Sequence, residues 1–582
     1  TPARYAYNLG LATSYAALVT AAYGVAGAIG RRENAGGLAA VAAAFLVGLA
    51  SNLTTSVRLL LWALPDAVPG AIVALVPRAE GWVALHPLDF HYWRPSRVVP
   101  EVITEFPLFA YLNGDLHAHM LAAPFTLLAV ACLYAALRAR PGHRRRLLFL
   151  GALPAVAGFV AATNAWSLPV LAGLSWLTVY FAPSASSAFL PAGLPDSIAA
   201  QSRRGEPAPA RLAGATLLAV VVTALSVAYS LPVWLVSEGA GRGLGLLPTR
   251  SPLWSLVLVH GLVLAVFGPY LWRRLPLSGR RQRAGAAGLA LAVLAATAVQ
   301  AAGVVLFAAL VAAAWTVLER ARRDATAPGV GYETVLALGG FGLVALLELV
   351  YLREPAAPGR FNTVFKITAS VWVLFGVAAA VVIGRYCSRR RPLRRWLPGV
   401  DARWLVVALL VASSGTYAVG ATVEWTTYQN PEVRTPDDPT LDALAFAHER
   451  YPDRMAAIAW LDDRAGTPTL LSAPGTDIDD GYRWVNAPSS LTGLPTVAGW
   501  RHEVGYRGGT AYWERVEDVR RMFTGTQTVR HRLLDSHDVQ FVYYGPIERG
   551  RYGTGLFESD PALTVAVETP AVTVYRVNES AL

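Results

Sequence analysis

The fold class this sequence predicts is a polytopic α-helical membrane protein, with about 12 transmembrane helices and a C-terminal extracytoplasmic α/β domain. Three observations carry that prediction. The 582 residues are 54% hydrophobic and only 15% charged, with a mean hydropathy of +0.40, more apolar than an ordinary soluble chain. Apolar runs of about 20 residues, enough to cross a hydrocarbon core of roughly 30 Å, recur from the first residues to about 420. After Val423 the sequence turns polar, with frequent Asp, Thr, Pro and Tyr, and stays so for the rest of the chain.

Taken in order, the runs predict spans near 8–29, 38–62, 117–137, 147–163, 166–183, 212–235, 252–272, 284–300, 302–318, 331–351, 363–384 and 402–420. Alternation tests the orientation. With 31–33 (RRE) in the cytoplasm, the arginine runs at 138–146, 202–211, 273–283, 319–323 and 385–395 fall on the same side, as the positive-inside rule asks. The loops 63–116, 236–251 and 352–362 and the tail then lie outside. The step most open to challenge is 284–318, read as two short spans divided near Gln300; one long helix would invert everything downstream. The domains expected are 1–422, a multi-span unit with a catalytic outer loop at 63–116, and 423–582, an extracytoplasmic α/β unit with short β-rich segments such as Val539–Tyr544. Thr1 is not an initiating Met and no signal peptide precedes the first run, which reads as a fragment lacking upstream spans.

A net charge of +11 would raise nucleic acid in a soluble protein, but here the arginines punctuate apolar segments, and no nucleic-acid partner is expected. The two cysteines, Cys132 and Cys387, fall in or at the end of predicted spans, so no disulfide argues for a compartment.

The chemistry concentrates between Trp93 and Met120. Charged side chains beside spans are costly unless paired, which makes such a cluster a functional-site hypothesis. GDLHAH alternates Asp115, His117 and His119; on an extended segment these share a face and suit a divalent ion, Mn or Mg ahead of Zn. The competing reading makes Asp115 a helix N-cap and the histidines interfacial hydrogen-bonders. Glu105 and Asp89 add carboxylates to the same loop, and Trp93 with Arg97 suits a sugar face and a phosphate, although an aromatic belt would look the same.

A second concentration is Glu348–Lys366, with Arg353, Glu354, Arg360, Asn362 and the chain's one lysine, Lys366. Arg360 and Lys366 would make an anion site where the span near 363 begins, helped by the positive helix N-terminus; a structural ion pair is the alternative. In the tail, Trp500, Arg501, His502, Glu503 and Arg507 stand between glycines, fitting a polar ligand or a tight structural loop equally.

The segments YWRPSRVVPEVITEFPLFAYLNGDLHAH, NAWSLP, SPLWSLVLVHGLVL, REPAAPGRFNTVFK, LTGLPTVAGWRHEVGYRG and FVYYGPIERGRY, in that order along the chain, resemble the YYY-domain membrane family, also called domain of unknown function 2298. Ser167, Phe361 and Ala118 stand where that family more often has Asp, Met and Pro. The architecture is in turn similar to GT-C glycosyltransferases, which move a sugar from a polyprenyl-phosphate-linked donor on the outer face; such a likeness of architecture is associational.

The resemblance implies a multi-pass cell-membrane protein that transfers a sugar from a polyprenyl-phosphate-linked donor to an acceptor glycan, lipid or protein. Asp115, with Asp89 and Glu105 as alternatives, would be the catalytic carboxylate or would hold a divalent ion with His117 and His119. Arg97, Trp93, Arg353, Arg360, Asn362 and Lys366 would bind the donor, and Trp500, His502, Glu503 and Arg507 the acceptor. The alternatives are a transporter or flippase for a lipid-linked or anionic substrate, and a membrane metal-dependent hydrolase.

Overall fold

In the computed structural model the residues described are 2–76, 80–83, 90–190, 206–236, 243–277, 279–324, 329–354, 357, 359–388, 402–427, 440–477, 479–555 and 557–582. Asp89 lies outside them. The first part of the chain is almost wholly helical: Ala3–Gly30 (α1), Gly36–Gly48 (α2), Thr54–Trp62 (α3), Ala67–Leu75 (α4), Pro107–Leu112 (α5), Ala118–Arg138 (α6), His143–Thr163 (α7), Ser167–Tyr180 (α8), Ala208–Tyr229 (α9), Leu231–Val236 (α10), Leu253–Trp272 (α11), Gly279–Thr297 (α12), Ala302–Arg323 (α13), Tyr332–Leu347 (α14), Phe361–Ser388 (α15) and Ala402–Thr427 (α16). A helix bonds its own backbone, which an apolar surrounding demands. Among the described residues, eight of these are long and apolar enough to cross a membrane: α1, α6, α7, α9, α11, α13, α15 and most of α16. Three more, α2, α8 and α14, are apolar but shorter.

The centre is α15. It packs against α1, α2, α6, α11 and α14, and nearly every residue from Thr363 to Val381 is buried. Small residues allow the approach: a Cβ on Gly384 would stand 2.8 Å from the Ala39 amide nitrogen, and one on Gly376 2.7 Å from Val47. Close backbones of this kind substitute dispersion contacts for a hydrophobic driving force that lipid does not provide.

Two features depart from simple spans. The run expected to cross at 38–62 is broken between α2 and α3, because it carries Ser51 and Asn52. The broken backbone is bonded from outside: the Ser51 amide donates to the Ser414 carbonyl at 2.8 Å and the Leu53 amide to the Leu258 carbonyl at 2.9 Å. Asn52 accepts from the Thr54 amide at 3.1 Å and donates through Nδ2 to the Pro95 carbonyl at 2.7 Å. The second break separates α12 from α13, where Gln300 turns the chain with a left-handed φ of 54°.

Residues 440–582 form a four-stranded sheet in the order β3-β4-β6-β5, with strands Thr469–Leu471 (β3), Val539–Tyr544 (β4), Leu563–Glu568 (β5) and Thr573–Val577 (β6). β3 and β4 run parallel and the other pairs antiparallel. β4 is central and almost entirely buried. One core, around Tyr512, Phe523 and Phe557, covers one face; a second, around Ile458, Leu461 and Phe541, covers the other. This unit meets the start of α1, where Arg4 lies 3.5 Å from Asp442 and Asn8 donates to the Leu441 carbonyl at 3.1 Å.

Candidate functional site

At the end of the bundle where α6 and α15 begin, four polar side chains meet. Glu105 precedes α5, whose Pro107 starts the helix, and the chain then turns through Asn113–Leu116 into α6. His117 is the N-cap of α6, in extended conformation (φ −75°, ψ 152°). The change from extended to helical backbone between residues 117 and 119 places both rings on the side of Glu105 and α15. Neither the strand nor the helix spacing expected from sequence applies across that junction.

The contacts form a line. His119 Nε2 lies 3.0 Å from Glu105 Oε2, His119 Nδ1 lies 3.2 Å from His117 Nδ1, and Lys366 Nζ lies 2.8 and 2.9 Å from the two nitrogens of His117. One set of neutral tautomers satisfies three of the four: Lys366 donates to His117 Nε2, His117 Nδ1–H to His119 Nδ1, and His119 Nε2–H to Glu105, so that Nδ1 of His117 does not also accept from Lys366. Every donor then points from the ammonium toward the carboxylate. Phe365 closes the side, its ring centroid 4.7 Å from that of His119 and 4.2 Å from Lys366 Nζ.

Glu105 and His119 are buried, 8% and 4% exposed. Burial pushes the Glu105 carboxyl from 4.5 up to about 7, against the pull of Arg97 and Lys366. His117 is held neutral, its pKa lowered to about 3 by burial and then by the charge of Lys366. Desolvation disfavours the charged form of either group, so the line carries a carboxyl of raised proton affinity at one end and, one ring beyond His119, an imidazole that stays neutral.

Arg97 belongs to the same neighbourhood. It closes a short 3₁₀ turn, Arg94–Arg97, and its guanidinium stacks 4.2 Å from the Trp93 ring centroid and 5.9 Å from that of Phe109. The turn is pinned from below by Asn52 and from the side by α16: Tyr417 donates to the Tyr92 carbonyl at 3.0 Å, and the Tyr92 amide donates to Glu424 at 2.6 Å. Trp93 itself is exposed.

Other expected residues are placed elsewhere. Asp115 is exposed in the turn before α6 and caps nothing, since the N-cap is His117 without a side-chain cap bond. Arg360 is buried in an ion pair: it donates to Glu348 at 2.9 Å, to the Leu347 carbonyl at 3.0 Å and to Ser251 at 2.8 Å, while Ser251 donates to Glu348 through both its hydroxyl and its amide at 2.7 Å. Asn362 donates to Glu354, and Arg353 is exposed. In the C-terminal unit, Glu503 accepts from the Gly499 amide at 3.0 Å and from Arg507 at 3.1 Å, and Trp500 donates to the Val485 carbonyl at 2.9 Å; His502 is exposed. Among the described residues these contacts stay within that unit.

Among the described residues no three His, Cys, Asp or Glu side chains converge to hold a metal ion. The contacts give a reason for Asp115, His117 and His119. The ring nitrogens are taken by Glu105, Lys366 and each other, and an ammonium stands where an ion's charge would be. A divalent ion would have to displace Lys366.

Sequence reasoning missed a third buried charge set, at the opposite end of the bundle. Arg385 at the end of α15 donates to Glu333 at the start of α14, and Glu333 also accepts from Tyr270 at 2.8 Å. A single acid inside the apolar run GYETVLALGG was the available signal.

The model of the family described as uncharacterized membrane protein (DUF2298) matches residues 1–375. The chain belongs to that family, and the match contains the line from Glu105 to Lys366. No curated protein matches the chain.

Proposed function

We propose that this member of the DUF2298 family is a GT-C-like membrane glycosyltransferase working at the outer end of its helices, with the line from Lys366 to Glu105 as its proton-handling centre. The observation that carries the reading is the line itself: a buried carboxylate joined through two neutral imidazoles to the chain's one lysine. Such a chain can take a proton at the carboxylate and redistribute charge along its length without a free ion in an apolar setting.

In this reading Glu105, oriented by His119, accepts the proton of the acceptor hydroxyl as it attacks the anomeric carbon of a polyprenyl-phosphate-linked sugar. The bond to the donor phosphate breaks and the phosphate leaves with the electron pair. Lys366 and Arg97 stabilise that developing charge, and Trp93 offers its exposed face to the sugar. Asp115, exposed at the mouth, would meet the acceptor or share a divalent ion with the phosphate. The twelve-crossing topology would put this end of α6 and α15, with the C-terminal unit, outside the cell membrane. His502 and its neighbours would then approach the acceptor from that unit.

The test is transfer of label from a radiolabelled polyprenyl-phosphate sugar pool in membranes carrying the protein, compared with Glu105→Gln, Lys366→Met and Asp115→Asn, with and without chelator. Loss in the first two with normal insertion supports the reading. Loss with Asp115→Asn and chelator, but not with Glu105→Gln, moves the chemistry to Asp115 and a metal. One observation favours a transporter instead: Glu333, Arg385 and Tyr270 supply buried polar groups at the opposite end, which a through-path requires. Absence of transfer from every donor pool, with substrate flux lost in Glu333→Gln, would establish that alternative.

A further inference from the structure

The loop between α10 and α11 and the loop between α14 and α15 pair as a two-stranded antiparallel ribbon, Gly243–Leu246 (β1) with Val350–Arg353 (β2). Its register puts Leu244 opposite Leu352 and Leu246 opposite Val350, so one face carries four aliphatic side chains. The other face carries Gly243, Gly245, Tyr351 and Arg353, with the Tyr351 ring lying over Gly245, 2.4 Å from where a Cβ would stand. On β1 that face is open, Leu244 being 71% and Leu246 70% exposed, while Val350 and Leu352 on β2 are half-buried.

Further exposed apolar residues flank the ribbon in sequence. Leu247 follows β1 with a φ of 51° and is 65% exposed. A left-handed turn in water ordinarily takes Gly or Asn; here the strained position holds a leucine with its side chain outward. Before β1, Leu235 and Val236 at the end of α10 are 77% and 82% exposed. A lone two-stranded ribbon is marginal in water, and this one is held at its base, where Glu348, Arg360 and Ser251 form the buried ion-pair clamp.

From this geometry we infer that the ribbon is a membrane-inserted element, whose Leu244, Leu246, Val350 and Leu352 face lies in the acyl region of the lipid leaflet at the Lys366 end of the bundle. The occupant is lipid because the ribbon stands where apolar helices end: β1 lies six residues before α11, which is long and apolar enough to span, β2 lies two residues after the apolar α14, and Leu235 and Val236 at the end of α10 are exposed as well. The far end of β2 leads through Glu354, which accepts from Asn362, to a point one helical turn before Lys366 on α15. The inference does not depend on what the Lys366 line does.

The test uses the whole chain, with Cys132 and Cys387 replaced by Ala, reconstituted in phosphatidylethanolamine–phosphatidylglycerol vesicles. A spin label is placed singly at Leu244→Cys and Leu246→Cys, at Arg353→Cys on the opposite face, and at Leu217→Cys on the exposed side of α9 as the lipid reference. Expected is high collision with oxygen and low collision with a water-soluble nickel chelate at 244 and 246, as at 217, with the reverse at 353. Nickel access at 244 and 246 matching that at 353 would overturn the inference in favour of a water-facing ribbon. Protection from both reagents would overturn it in favour of a protein cover, such as a second copy. Should the labelled chains fail to insert, the unmodified chain with a phospholipid carrying a photoreactive group on its acyl chain gives the same answer: cross-links are expected within 243–247 and 350–352, and their absence there, with cross-links present on α9, would sink the idea.

Discussion

Two buried charge sets lie at the same end of the bundle and are built on opposite plans. Around Glu348 the groups close on themselves: Arg360, the Ser251 hydroxyl and the Ser251 amide engage both carboxylate oxygens, and the guanidinium is spent on Glu348, Ser251 and the Leu347 carbonyl. Around Glu105 the groups form an open line that ends on an ammonium with three donors and, among the described residues, one imidazole to receive them. A closed set holds helices together; an open one keeps hydrogen-bonding capacity for something that arrives. Arg360 and Lys366, six residues apart and both candidates for an anion site from sequence, fall on different sides of that distinction.

The difference can be broken by substitution. Glu348→Ala strands the Arg360 charge in an apolar setting, and losing one partner of a buried pair costs about 3–5 kcal/mol. The expected outcome is a large drop in the denaturation midpoint in detergent, with activity falling only as folded protein is lost. Replacing both, Glu348→Met with Arg360→Met, should recover most of that loss, since an uncharged pair leaves nothing unpaired. A double variant as unstable as the single one would refute the structural assignment of the clamp. Glu105→Gln and Lys366→Met should behave the other way, with midpoints close to the parent and transfer down at least about 10²-fold, or about 2.7 kcal/mol on the barrier. A parallel fall in stability and transfer would make the line a second clamp.

Legibility in the sequence followed the same division. Hydropathy located the helices because long apolar runs are a property of the chain itself. The break at Ser51–Asn52 was not legible, because its backbone groups are satisfied by Ser414, Leu258 and Pro95, partners far away in sequence. Asp115, His117 and His119 stood out by spacing, yet the structure groups the two histidines with Glu105 and Lys366 and leaves Asp115 exposed, because the change from extended to helical backbone falls inside the motif. Lys366 was visible as the one lysine; that its partner is His117, 249 residues earlier, is a fact of packing around α15. Arg360 was equally visible, and nothing local distinguished its role, since Ser251 lies 109 residues away.

Acidity sharpens the comparison further. Glu105 binds a proton more tightly folded than unfolded, its pKa being raised from 4.5 to about 7 by burial. Its contribution to stability is therefore fully present below about 4.5 and is lost as pH rises through about 7, by up to roughly 1.4 kcal/mol for every tenfold difference in proton affinity between the two states. The proposed reaction uses Glu105 as an ionised base, so on that proposal transfer should rise across the window in which stability falls. Measuring both from pH 5 to 8 in parent and Glu105→Gln checks the pair: the variant should lose both slopes. A rate profile that keeps its rising limb in Glu105→Gln would assign the titration to another group.

The smallest effect is expected at Trp93. Its ring stacks on Arg97 at 4.2 Å but is itself exposed, and a cation–π contact at such a site is worth about 0.5–1 kcal/mol. Trp93→Ala should raise KM for the donor a few-fold, with kcat and the denaturation midpoint nearly unchanged, because the turn beneath it is held by Asn52, Tyr417 and Glu424 rather than by the ring. Trp93→Phe should recover part of the loss. A fall in kcat as large as that of Glu105→Gln would mean that the ring positions the reacting groups, and the open line would then extend from Lys366 through Glu105 to the Arg97 turn as one working unit.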